Sequence, residues 1–434
     1  MTHRAYLALA IPLIISTVTT PLLGAVDTAV VGQLSDPAYI GGVAVGSMIF
    51  NTMYWLFGFL RVSTSGFTAQ ASGAQDETQC LQCFIRPLVV GLGIGFMFIA
   101  MQSPILSVAL ALLQPERDVA AFVEQYFSIR IWGAPFALAN YAILGWLIGM
   151  GRVKTSLSLQ VGMNVLNIAL DVWFVTVLRE GVGGVAMATF IAEASAFAIG
   201  IAIVRRLVNI RLSDLFAREG WNAAEWKRMM AVNGDLLLRT VCLLAVFNTL
   251  TAKGAAFGTK VLAANAILIQ IHYLMAYVFD GFANASSILV GKAVGARDER
   301  LYARTLSLSL QWTVLAALSI MLAYIWIDDE VIRLFTNNRD VFELAVSYSA
   351  WMAAYPLAAG YGLVFYGVFT GAAKTAPIRN SMLFSLACYL LLFVILPPAL
   401  GNHGLWLAFI AFSLGRSLFL AMYVPKLERS LFPK

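Results

Sequence analysis

The chain has 434 residues, of which 60% are hydrophobic and 12% charged, with a formal net charge of +6. Soluble domains carry about 25% charged residues, and a bilayer-spanning helix needs about 20 apolar residues, so the composition excludes an ordinary water-soluble domain and predicts an all-α integral membrane protein. The positive charge is scattered through short loops rather than gathered in one patch, so the expected partner is the lipid bilayer and no nucleic acid is expected.

Twelve apolar segments follow in order, at about 6–31, 40–70, 87–112, 121–149, 155–178, 184–204, 230–251, 261–291, 303–327, 342–371, 378–400 and 404–424. The first is long, contains Asp27 and lacks a small-residue cleavage pattern, so it reads as a retained helix and not a cleaved leader. The segments at 40–70, 261–291 and 342–371 exceed a straight span and should tilt or protrude into water. With the N-terminus and the even-numbered loops on one side, Lys and Arg divide 19 against 6, which places both termini in the cytoplasm. The longest polar stretch, about Arg205 to Arg228, splits the chain into an N-lobe at 1–204, a linker at 205–229 and a C-lobe at 230–434. Trp221 and Trp226 in that stretch suit a short helix on the membrane surface, or a solvated linker.

The halves look like copies. Gly73-Ala-Gln-Asp76-Glu77 recurs as Gly295-Ala-Arg-Asp298-Glu299, 222 residues later. Gly151-Arg-Val-Lys154-Thr155 recurs as Gly371-Ala-Ala-Lys374-Thr375, and Gly184-Val-Ala-Met-Ala188 as Gly404-Leu-Trp-Leu-Ala408, both at 220. Three matches in order at equivalent loops indicate duplication, and six helices per copy relate the copies by an axis along the membrane normal. The fold expected is therefore twelve transmembrane helices in two pseudo-symmetric six-helix bundles, an arrangement suited to alternating access.

Polar groups inside the spans differ between the copies. Asp27 is the only charged residue between Arg4 and Asp36. A carboxylate in such surroundings costs several kcal/mol unless it is paired, hydrated or protonated, and it can take up and release a proton or small cation. Asn164, Asn167 and Asp171 are spaced i, i+3, i+7 on one face of the fifth helix, and Thr189 and Glu193 are spaced i, i+4 on the sixth. Asn and Thr also serve as hydrogen-bonding glue between helices, and Glu193 could instead pair with a cytoplasmic-side arginine such as Arg205. Arg61 and Asp280 lie within helices of opposite halves at similar depth and are candidate cavity residues. Tyr355, Tyr361, Phe365 and Tyr366 in the tenth helix could line a chamber for flat organic cations. Pro12 and Pro21 precede Asp27 and permit helix one to bend, while Pro135 and Pro356 occupy similar places in the two copies. A single Cys80-x-x-Cys83, placed in a loop, has no His nearby and no second pair, so no metal site is expected. No P-loop, dinucleotide turn, metalloprotease helix or nucleophile elbow is present in the sequence. The expectation is a transporter rather than an enzyme, with no cofactor.

Val26-Asp27-Thr-Ala-Val-Val-Gly32, Thr68-Ala-Gln-Ala-Ser-Gly-Ala and Asn167-x-x-x-Asp171 resemble the multidrug and toxic compound extrusion (MATE) transporters, and Leu60-Arg61 with Asp280-Gly-Phe-Ala283 is similar to their DNA-damage-inducible protein F (DinF) branch. The resemblance implies two lobes around a V-shaped cavity and proton- or sodium-driven export of amphipathic or cationic organic compounds from a bacterial inner membrane by a monomer. It places the coupling acid at Asp27, with Asn167, Asp171 and Thr189 as its partners, and favours protons, with bending of helix one on protonation. Relatives in this branch often carry a Glu where this chain has Ser286-Ser287. Two other readings remain: sodium coupling at the same residues, and a flippase for lipid-linked precursors, against which the small number of cavity arginines (Arg61 and Arg239) argues.

Overall fold

In hydrocarbon every backbone N–H and C=O must be satisfied within the chain, and the computed structural model is correspondingly helical, with no strand among the described residues. It describes the backbone of residues 1–31, 37–208 and 221–433, and the side chains of 1–18, 38–208 and 221–433. The elements are α1 (His3–Val31), α2 (Pro37–Leu56), α3 (Phe59–Gly73), α4 (Glu77–Ala100), α5 (Gln102–Leu113), α6 (Arg117–Arg130), a 3-10 turn (Ile131–Gly133), α7 (Ala134–Gly149), α8 (Val153–Val172), a π turn (Trp173–Val177), α9 (Gly181–Leu207), α10 (Ala223–Ala256), α11 (Thr259–Gly295), α12 (Glu299–Arg333), α13 (Arg339–Gly371), α14 (Ala376–Ala421) and α15 (Val424–Leu431).

Ten runs among the described residues are long and apolar enough to cross a membrane. One of them joins two helices that meet at Gly401, whose backbone is non-helical (φ 58°), and α1 supplies one more, so the count agrees with twelve. The long second segment breaks at Phe57–Gly58 into α2 and α3, and the fourth breaks at the 3-10 turn between α6 and α7. Pro135 opens α7, where a missing N–H costs nothing. Pro356 instead lies inside a continuous α13, so the two prolines do not play the same part. α4 begins at Glu77 because Asp76 caps it, accepting from the Gln79 amide at 2.8 Å. Cys80 and Cys83 are consequently buried helix residues, not loop residues.

The chain forms two compact units, Val18–Met230 and Met1–Thr17 with Ala231–Lys434. Residues 1–17 thus pack with the second half. Thr17 Oγ1 donates to the Tyr277 carbonyl at 2.8 Å, and the Tyr6 and Ser286 hydroxyls lie 3.1 Å apart. Ser286 is also 2.7 Å from Ser309 Oγ, which extends this into a buried hydroxyl chain. α10 starts at Ala223, earlier than its apolar run, and its residues up to Met230 belong to the first unit and bond within it. Glu225 receives Gln79 Nε2 at 3.4 Å and lies 3.8 Å from Arg86, and Arg228 donates to Gln70 at 3.1 Å. Trp221 stacks on Trp226 with centroids 5.5 Å apart. Residues 209–220, the centre of the expected linker, lie outside the described residues.

The duplication is visible in the turns and crossings. Gln75 and Arg297 both take left-handed backbone (φ 56° and 53°), and Asp76 and Asp298 both cap the helix that follows. Gly151 and Ala373 are also matched left-handed residues (φ 78° and 51°), so the register here is 222 and not the 220 read from the glycines. In that register Gly145 and Gly149 of α7 match Gly367 and Gly371 of α13. A Cβ at Gly145 would overlap the Arg61 carbonyl, and one at Gly149 would lie 2.6 Å from the Ser65 carbonyl of α3. A Cβ at Gly367 or Gly371 would overlap the carbonyl of Ala283 or Ser287 on α11. Small residues four apart let helix backbones touch, which is how helices associate where lipid is as apolar as the side chains.

Overpacking at such a contact costs about 1–3 kcal/mol. Gly367→Ala and Gly371→Ala should each lower the thermal unfolding temperature of the detergent-purified protein, while Gly162→Ala on α8, where a Cβ meets nothing, should leave it level or raised. Equal effects at all three sites would contradict the close crossing.

Candidate functional site

The first unit brings three of the expected residues to one buried seam. α8 presents Asn167 and Asp171, 1% and 0% exposed, on the face toward α9. Asn167 Nδ2 donates to Thr189 Oγ1 at 3.2 Å, and the Thr189 hydroxyl donates to the Val185 carbonyl at 3.1 Å. Asp171 follows Asn167 by one turn, as i+4 spacing requires. Asn164 is half-buried a turn earlier. Immediately after Asp171 the helix widens into the π turn at Trp173–Val177, closed by Leu178 N–H to the Trp173 carbonyl at 3.1 Å. π turns interrupt α-helices mostly at functional places, because the extra residue re-aims the side chains beside it. Asp27 and Pro21 belong to α1 by backbone, and their side chains lie outside the described residues. α1 runs without a break past Pro12.

Glu193 does not pair with Arg205. Arg130 holds it in a two-pronged ion pair, Nη1 to Oε2 at 2.7 Å and Nη2 to Oε1 at 2.6 Å. The guanidinium also lies 5.2 Å from the Phe50 ring centroid and 5.4 Å from that of Tyr54, and Asn140 Nδ2 donates to the Glu193 carbonyl at 3.0 Å. Gly133 makes room for the pair, since a Cβ there would lie 2.9 Å from Glu193 Oε2. A carboxylate engaged at both oxygens is a structural clamp between α6 and α9, not an open coupling group. Arg130 ends α6 and Glu193 lies 63 positions later, so no periodicity in the sequence joins them.

In the second unit, Tyr355 is buried in an aromatic cluster, its ring 4.2 Å from that of His272 and 6.3 Å from that of Phe409. It is packed core there and not an open chamber wall, and Phe365 is likewise buried. Tyr361 is half-buried. Tyr366 does meet a cation, but one from the protein: Arg239 lies 4.1 Å above its ring. Asp280 is half-buried on α11, and its carbonyl accepts from Asn284 Nδ2 at 2.8 Å. Arg61 is half-buried on α3, with its carbonyl against Gly145.

Removing one partner of a buried ion pair strands the other and costs about 3–5 kcal/mol, whereas replacing both with apolar groups of similar size is often neutral. Glu193→Ala should therefore sharply reduce folded, monodisperse protein, and Arg130→Met with Glu193→Leu should restore it. A single variant that folds normally would contradict the clamp.

Comparison with known proteins agrees with this arrangement. The MatE family profile matches residues 12–173 and again 237–397, once in each half. The DNA damage-inducible protein F of Escherichia coli (strain K12) is 36% identical over 419 residues, covering 96% of this chain and 91% of that protein. Among solved structures, a MOP superfamily transporter from Pyrococcus furiosus superposes with a TM-score of 0.89 at 19% identity, covering 100% of this chain and 97% of the other. An outward-facing multidrug resistance MATE family transporter gives 0.87 at 20% identity, covering 98% and 97%. The two solved structures speak for the fold; the profile matched in both halves and the 36% identity across nearly the whole length speak for descent. The chain belongs to the MATE family of membrane transporters.

Proposed function

We propose that the chain is a proton-coupled antiporter of the bacterial cytoplasmic membrane, exporting amphipathic organic compounds by alternating access. Asp27 takes up the incoming proton, and Asn167, Asp171 and Thr189 set how tightly it is held. The observation that carries this reading is the buried α8–α9 seam, where Asn167 bonds Thr189 one turn from a fully buried acid. A carboxylate there carries the charge, and neutral donors and acceptors that rearrange around it can favour one protonation state over the other. The same oxygens could ligate sodium, which is the second reading. Oxygen ligands from Asp27, Asn167, Asp171 and Thr189 would suffice for that, and transport that depends on a sodium gradient at fixed pH would favour it. The family and its multidrug-resistance member support a broad range of organic substrates. The excess of Lys and Arg in alternate loops supports cytoplasmic termini. The protein works without a cofactor and as a monomer.

In cells lacking their own drug pumps, Asp27→Asn should abolish resistance and dye efflux while the protein still inserts. Asn167→Ala and Thr189→Ala should weaken efflux about 10-fold, the scale of one hydrogen bond to a charged group. Full resistance with Asp27→Asn would sink the assignment.

A further inference from the structure

The second unit carries two half-buried arginines within its spanning helices. In the second unit, Arg239 of α10 and Arg416 of α14 line one cleft with Tyr366. Arg239 lies over the Tyr366 ring at 4.1 Å, and Arg416 is 5.6 Å from the Phe412 centroid. Arg86, Arg130, Arg339 and Arg379 each reach a carboxylate, but neither of these two forms an ion pair or hydrogen bond among the described residues. An arginine within a spanning helix costs several kcal/mol. A ring contact returns about 0.5–2 kcal/mol, and two like charges on one cleft add repulsion. Asp280 lies within Coulombic reach of Arg416. The fold does not require the pair, because at offsets of 222 and 220 the first copy has Thr17 and Ala196.

We propose that Arg239 and Arg416 form a binding site for the anionic group of an amphiphilic substrate, a carboxylate, sulfonate or phosphate monoester borne on an apolar body. Guanidinium presents a planar fork that grips such groups through two parallel N–H bonds, and Leu363, Met382 and Leu420 line the rest of the cleft for the apolar part. In this state the cleft holds about 10 Å³, room for one water at most. Binding therefore requires the guanidiniums to leave their rings and the cleft to widen around the apolar body. The word substrate rests on the transport reading above; the site itself does not.

The test is equilibrium binding with no gradient, so that its failure is separable from failure of the antiport reading. Purified protein in nanodiscs of neutral phosphatidylcholine is titrated with fluorescent dansyl-undecanoate and with its uncharged primary amide. The carboxylate should bind at least about tenfold more tightly than the amide, a difference of 1.4 kcal/mol or more. Arg239→Gln and Arg416→Gln should each lower that preference and leave amide binding unchanged. The Arg→Lys variants, which keep the charge but lose the fork, should fall between and serve if the Gln variants do not fold. Replacing part of the neutral lipid with phosphatidylglycerol should not displace the probe. Equal affinity for the two probes, a preference that survives the double Gln variant, or displacement by phosphatidylglycerol (which would assign the cleft to a lipid headgroup) would overturn the proposal.

Discussion

The bilayer interior gives no credit for an unpaired polar group, and that constraint organises the rest of the molecule. It makes the chain helical, and it removes the hydrophobic drive between helices, leaving close backbone contact to hold them. Gly145 and Gly149 on α7 and Gly367 and Gly371 on α13 supply that contact, each against a carbonyl of the second helix of its own half. It also favours the matching of buried polar side chains. Asn265 and Asn402 exchange two bonds of 2.8 Å while Trp406 donates to Asn265 at 2.9 Å, and Arg130 is matched by Glu193.

Against that background the duplicated frame and the departures from it carry different information. The caps at Asp76 and Asp298, the left-handed turns at Gln75 and Arg297, and the glycine crossings repeat because they build a bundle. The polar interior does not repeat. The first unit places Asn167, Asp171 and Thr189 on one seam; the second has arginines and a buried hydroxyl chain through Ser286 and Ser309. Two copies of one bundle with different interiors suit the proposed coupling, in which ion and substrate need unlike sites.

Much of this was legible in the sequence. Runs of apolar residues fix the spans, and motif spacing fixes the duplication. The i, i+3, i+7 pattern puts Asn164, Asn167 and Asp171 on one helix face. The parts that were not legible depend on tertiary proximity or on the backbone. Nothing local joins Arg130 to Glu193, so Glu193 looked available when it is clamped. Tyr355 looked like a chamber wall because aromatic residues in a span serve packing and binding alike, and only its contacts with His272 and Phe409 separate the two. The repeat register slipped by two at Gly371 because Ala373 takes a turn conformation that glycine usually marks. The polar start of α10 read as linker because its docking partners, Arg86, Gln79 and Gln70, lie far back in the chain.

The central claim is that protons, moving inward, drive substrate outward through this frame. It is tested most directly in proteoliposomes containing only the purified protein, a fluorescent organic cation and an internal pH dye, with pH and sodium gradients imposed separately. The account predicts that a pH gradient alone drives the dye across, with a matching proton flux in the opposite direction, and that a sodium gradient at fixed pH drives nothing. Dye movement that follows the sodium gradient and ignores the pH gradient would contradict it.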